Sequence, residues 1–155
     1  MNSEKAENIK RRIFAARIAD YDEMAGCTCE EIDLLQTNIQ LRLPSSYVDF
    51  LLAVGHGAGK LFLGSDWTYD YLYKITTFAK LLLQENGNPF YLPEQAFPFL
   101  IHQGYQFMFF MVSPDDPPIH YYIETERSEK IIYPSFSDFL YQSIELNKGE
   151  WNIPE

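Results

Sequence analysis

Leu43-Pro44-Ser45-Ser46-Tyr47-Val48-Asp49-Phe50-Leu51, followed by Gly55-His56-Gly57, decides how the rest of the chain is read. Pro44 has no backbone N–H and a fixed φ, so it suits the first turn of a helix, where that donor has no partner. Tyr47, Phe50, Leu51 and Val54 then fall at i, i+3, i+4 and i+7, on one apolar face. Gly55 reads as the left-handed residue that closes the helix.

Working outward, Thr28 and Glu31 form a T-x-x-E capping box, with Ile32, Leu35 and Ile39 as the apolar stripe behind it. Downstream, Ser135-Phe136-Ser137-Asp138-Phe139-Leu140 reads as a capped helix with Phe136, Phe139, Leu140 and Ile144 on one face. The three units, in this order and spacing, resemble the SUKH superfamily, which includes the Smi/Knr-type proteins, over about residues 26–146. Gln36 stands where the family often has an acid, and His56 where its turn often has Asn. The resemblance implies a non-enzymatic partner-binding domain over residues 26–155, preceded by a helical extension over 1–25. It also implies kinship with bacterial immunity proteins, which bind and inhibit a secreted nuclease or deaminase toxin. Fungal relatives imply an alternative, a scaffold or regulatory module with no toxin partner.

Composition narrows the choice. A chain of 155 residues matches one domain, commonly about 100–150 residues long. Twelve Phe, 11 Tyr and 2 Trp argue for a packed globule and against disorder. Apolar runs stay far below the about 20 residues of a membrane helix, and the basic N-terminus (Lys5, Lys10, Arg11, Arg12, Arg17) has no signal-peptide core. A cytoplasmic protein with no membrane partner is expected. Net charge is −10, and no Lys or Arg occurs between Leu81 and Glu126. Such a chain repels nucleic acid and attracts basic proteins, so the expected partner is a basic toxin domain. Cys27 and Cys29 are expected to stay reduced and to hold no metal, and no cofactor is expected.

The remaining elements follow from periodicity. Residues 3–20 read as a basic amphipathic helix, and Lys60–Gly64 and Trp67–Tyr73 as strands. Helical spacing returns over 75–86 through Ile75, Phe78, Ala79, Leu82 and Leu83, and Asn86-Gly87-Asn88-Pro89 ends it. Phe97–His102 and Gln106–Val112 read as strands, the second apolar on both faces and therefore central. Ile119–Glu124 pairs with it across the Ser113–Pro118 turn. The expected fold is a single α+β domain, with a mixed or antiparallel sheet flanked by N-terminal helices and a closing C-terminal helix.

No residue pattern supports catalysis. His56, His102 and His120 have no sequence-fixed acid, and H-E-x-x-H, G-x-S-x-G and a phosphate-binding glycine loop are all missing. The candidate partner-binding residues are Asp66, Trp67, Tyr69, Asp70 and Tyr71, which mix large rings with carboxylates. The rings either pack on the core or face a partner, and the sequence leaves both open. The acidic turn Asp115-Asp116 is a second candidate, with a plain solvated turn as its alternative. Phe50 and Leu140 are expected to be core residues. Replacing either with Ala should cost about 2–5 kcal/mol in denaturant titration, and near-normal stability in both would undo the helix-face assignments.

Overall fold

The computed structural model describes residues 3–85, 92–125 and 129–147. In chain order the elements are α1 (Glu4–Ala15), a 3-10 turn (Tyr21–Glu23), β1 (Met24–Ala25), α2 (Cys29–Ile39) and α3 (Ser45–Val54). Then come β2 (Gly57–Ala58), β3 (Ser65–Asp66), α4 (Tyr69–Glu85), β4 (Ala96–His102), β5 (Gln106–Met111), β6 (Ile119–Ile123), β7 (Glu129–Tyr133) and α5 (Phe136–Asn147). The chain is a single α+β domain.

α3 lies at the centre because its residues leave it no broad polar face. Tyr47, Phe50, Leu51, Ala53 and Val54 are all buried. The Tyr47 ring meets Phe50, Phe97, Phe99, Phe110 and Phe136 at centroid distances of 5.1–6.0 Å, joining α3 to β4, β5 and α5. α1 packs on α3 and α5 through Ile9 and Ile13, and Ser3 donates to Asp49 of α3 at 3.0 Å. α2 starts as the capping box requires. Glu31 N–H donates to Thr28 Oγ1 at 3.1 Å, and Thr28 N–H to Glu31 Oε1 at 2.9 Å.

β3 to β7 form one antiparallel sheet in sequence order, while β1 and β2 pair separately as a two-stranded ribbon. β5 is the central strand, covered on both faces as its unbroken apolar run predicts. Tyr47, Phe97, Phe99 and Phe110 gather on one side of the sheet. Phe107, Phe109 and Tyr122 form a second line of rings. α4 packs along β4.

Several expectations are corrected. Trp67–Tyr73 is not a strand, because α4 begins at Tyr69. Its buried residues, Tyr69, Leu72, Ile75, Ala79, Leu82 and Leu83, keep helical spacing, so the aromatic alternation at 67–73 was coincidental to the period that governs packing. Phe78 points outward rather than into the core. Lys60–Gly64 forms turns, and the N-terminal helix stops at Ala15, before Arg17 adopts φ 60°. β7 and the β1–β2 ribbon went unread. β7 buries only Tyr133 fully and so shows no clean alternation, and each ribbon strand is two residues long. Asn86–Pro89 also lies outside the described residues.

Gly55 is not left-handed. Its φ and ψ are −56° and −22°, and positive φ appears later, at Gly57 and Gly59. Gly55 and Gly26 serve a different need, the close approach of residues 25–27 to the end of α3. A Cβ on Gly26 would lie 1.9 Å from the Leu52 carbonyl oxygen, and one on Gly55 would lie 2.3 Å from Cys27 Sγ. Gly26→Ala and Gly55→Ala should each destabilise the protein by about 1–3 kcal/mol or more. Adding Cys27→Ala should recover part of the Gly55→Ala loss and none of the Gly26→Ala loss. Chemical denaturation of the single and double variants checks this, and equal recovery in both would refute the contact geometry.

Candidate functional site

The start of α4 docks on the junction between α2 and the end of α3. Tyr69 N–H donates to the Gly55 carbonyl at 2.7 Å, and its hydroxyl donates to the Glu31 carbonyl at 2.9 Å. Tyr69 and Tyr73 hydroxyls are 3.0 Å apart. His56 lies with its ring 5.2 Å from that of Tyr69, and its Nε2 is 2.8 Å from Glu31 Oε2. The Cys27 thiol completes the group, within 4.8 Å of both the glutamate and the imidazole.

Electrostatics follow from this packing. Burial pushes the Cys27 thiol up to about 12, and the Glu31 and Asp70 carboxylates push in the same direction. Glu31 is held below the ordinary carboxylate range, mainly by the Thr28 backbone N–H and further by His56. Burial, then the Tyr73 hydroxyl, raises Tyr69. The neighbourhood disfavours further negative charge.

The candidate residues divide. Trp67 is 6 % exposed and packs on Phe50 and Phe62, while Tyr69 is 8 % exposed and committed to the α2–α3 junction. Both are core residues, which corrects their reading as partner contacts. Asp66, Asp70 and Tyr71 are exposed. Further along α4, Phe78 and Leu81 are exposed on the same face as Tyr71, at i+7 and i+10, with Lys74 between Tyr71 and Phe78. That apolar stripe escaped the sequence reading, because Phe78 was assigned inward from its place among Ile75, Ala79 and Leu82. The spacing from Tyr71 was the available signal.

Asp115 and Asp116 lie elsewhere. The Asp115 carbonyl accepts from Ser46 N–H at 3.1 Å, in the first turn of α3, where Pro44 brings no capping side chain. The Asp116 carboxylate accepts from Ser137 N–H at 2.9 Å, and Ser135 Oγ accepts from Asp138 N–H at 3.0 Å, so two acceptors cap α5. Asp115 bonds to the first turn of α3, whereas Tyr69, next to Asp70, bonds to Gly55 at its far end. The two sets of acids do not form one site. Between α2 and α3 opens a cavity of about 860 Å³, with Ile32, Val48 and Leu52 among its lining and Asp33, Asp49 and Asp115 around it.

Two histidines gain acids that the sequence did not pair with them. His56 meets Glu31, and His120 Nδ1 meets Glu129 Oε2 at 2.6 Å, stacked on Phe109. Ser65 Oγ and His102 Nδ1 are 2.7 Å apart, tying β3 to β4. These pairs link neighbouring elements. Capped helices and a covered sheet thus follow one another in the order α2, α3, α4, sheet, α5.

That arrangement has a family. The chain belongs to the SMI1/KNR4 family (SUKH-1), whose model matches residues 26–142. No curated protein matches the chain. SUKH-1 members are immunity or scaffold proteins rather than typical enzymes. The match opens at Gly26 and closes within α5, so it takes in the capping box, α3, the exposed face of α4 and the whole sheet. No helix among the described residues is long and apolar enough to cross a membrane.

Trp67→Ala should lower stability by about 3–5 kcal/mol, as removal of a buried ring does. Asp116→Ala should cost about 1 kcal/mol, as loss of a helix cap does. Thermal or urea unfolding checks both; an unchanged midpoint for Trp67→Ala would return that ring to the surface.

Proposed function

We propose that this SUKH-1 protein is an immunity protein that binds and neutralises a cognate toxin domain, of the nuclease or deaminase kind, inside the cell that makes both. Its binding domain is residues 26–155, with 1–25 as an N-terminal helical extension. The interface is the exposed face of α4, with Tyr71, Phe78 and Leu81 as apolar anchors and Asp66 and Asp70 at its leading end. The supporting observation is that stripe: three large apolar side chains stand outward on one helix face of a protein with net charge −10.

The physical roles differ by residue. Large rings desolvated at the centre of an interface govern how long a complex lasts. Charge governs how fast it forms, and a toxin that grips nucleic acid carries a basic cleft. Lys74 and Lys80 also lie exposed on α4, so attraction comes from Asp66, Asp70 and the net charge of the whole chain.

The test uses the protein encoded beside this gene. Tyr71→Ala and Phe78→Ala should keep the wild-type thermal midpoint and speed dissociation, each by about 2 kcal/mol or roughly 30-fold. Asp66→Lys and Asp70→Lys should slow association, and added salt should weaken the wild-type complex. Co-expression with the toxin separates the family's two modes, because an immunity protein restores growth and a scaffold does not. If all four folded variants bind like wild type, α4 is not the interface, and the cavity bordered by Asp115 is the next surface to vary.

A further inference from the structure

We propose that Cys27, Glu31 and His56 form a binding site for one divalent transition-metal ion of the Zn²⁺ class. Two thiols alone do not make such a site, so the sequence predicts none at Cys27 and Cys29. The fold supplies what was missing. It brings a thiol, a carboxylate and an imidazole, from positions 27, 31 and 56, within 4.8 Å of one another. Sulfur, nitrogen and oxygen from these three side chains are the donors zinc takes, and three protein ligands leave a fourth position for water.

Main-chain bonds hold the donors in place. Cys27 N–H donates to the Leu51 carbonyl at 2.8 Å, and His56 N–H donates to the Ala25 carbonyl at 2.8 Å. The β1–β2 pairing of Ala25 with Gly57 fixes the two segments side by side. Glu31 is anchored through Oε1 by Thr28 N–H, which leaves Oε2 as the atom facing His56. Hydrogen-bonded partners of this kind orient metal ligands. Gly55, with no Cβ, makes the space that the Cys27 sulfur occupies.

The site has a way in. The Glu31 and His56 side chains are 33 % and 28 % exposed, so water reaches the open side. A tetrahedral ion needs the imidazole nitrogen and carboxylate oxygen roughly 3.3 Å apart, given metal bonds of about 2.0–2.1 Å. Opening the present 2.8 Å contact to that distance takes a displacement of about 0.5 Å between two side chains that are each about one-third exposed. On binding, the Cys27 S–H bond breaks, its electron pair forms the metal–sulfur bond, and the proton passes to bulk water. Without the ion, burial and two nearby carboxylates keep that thiol protonated; a dication supplies the opposite charge.

The experiment takes the full chain stripped with chelator and titrates it with Zn²⁺ by calorimetry and with Co²⁺ by absorption. One Zn²⁺ per chain should bind and raise Tm, and Co²⁺ should give a thiolate charge-transfer band in the near ultraviolet. Cys29→Ser should keep the band and Cys27→Ser should lose it. His56→Gln and Glu31→Gln, on side chains about one-third exposed, should fold and weaken Zn²⁺ binding by at least about tenfold. They decide the matter if Cys27→Ser does not fold. Absence of the band, its survival in Cys27→Ser, or wild-type affinity in His56→Gln would overturn the proposal. None of these readouts involves a protein partner, so the result stands apart from the fate of the proposed function.

Discussion

Burial of α3 is the constraint on which the rest of the structure depends. A helix with Tyr47, Phe50, Leu51, Ala53 and Val54 all inside must be surrounded, and its ends are then cut off from much of the water that would satisfy them. Other segments take over. The Asp115 carbonyl receives Ser46 N–H at the start, and Cys27 N–H and Tyr69 N–H reach the Leu51 and Gly55 carbonyls at the finish. Those bonds place the turn after β5, the segment before α2 and the first residue of α4. Each candidate site in the protein sits on one of these three anchor points.

Tyr47 shows how far ring packing dominates. Its hydroxyl is buried with no hydrogen-bond partner among the described residues, a cost of about 1–3 kcal/mol. Five aromatic neighbours surround its ring, and such pairs contribute about 0.5–1.5 kcal/mol each beyond the area they bury. The same aromatic excess that builds this cluster also supplies rings to the surface. Tyr71 and Phe78 are therefore informative as exposed residues, because the core already takes most rings of their kind.

The acidic residues divide by physical task. Asp116 directs its charge at the Ser137 N–H of α5, where a carboxylate is favoured by the helix dipole. Glu31 does the same for α2 and also faces His56. Asp66 and Asp70 lie exposed at the leading end of α4. An acidic chain is thus not uniformly available to a basic partner, since part of its charge is engaged in capping.

The capped helices, the central apolar strand and the closing helix were legible in the sequence, because caps, turns and hydrophobic period are local chemistry. Thr28 with Glu31, Ser135 with Asp138 and the run Phe107–Val112 announce themselves within a few residues. Which face of 67–81 meets the core was not local. Period 2 and period 3.6 both run through Trp67–Tyr73, and only docking of Tyr69 on Gly55 and Glu31 decides that Trp67 and Tyr69 go in while Tyr71 goes out. The meeting of Cys27, Glu31 and His56 lay equally beyond the sequence, since 25 residues separate His56 from Glu31. Tertiary packing alone closes that gap, because residues 25–27 can reach the end of α3 only where Gly26 and Gly55 let two backbones touch.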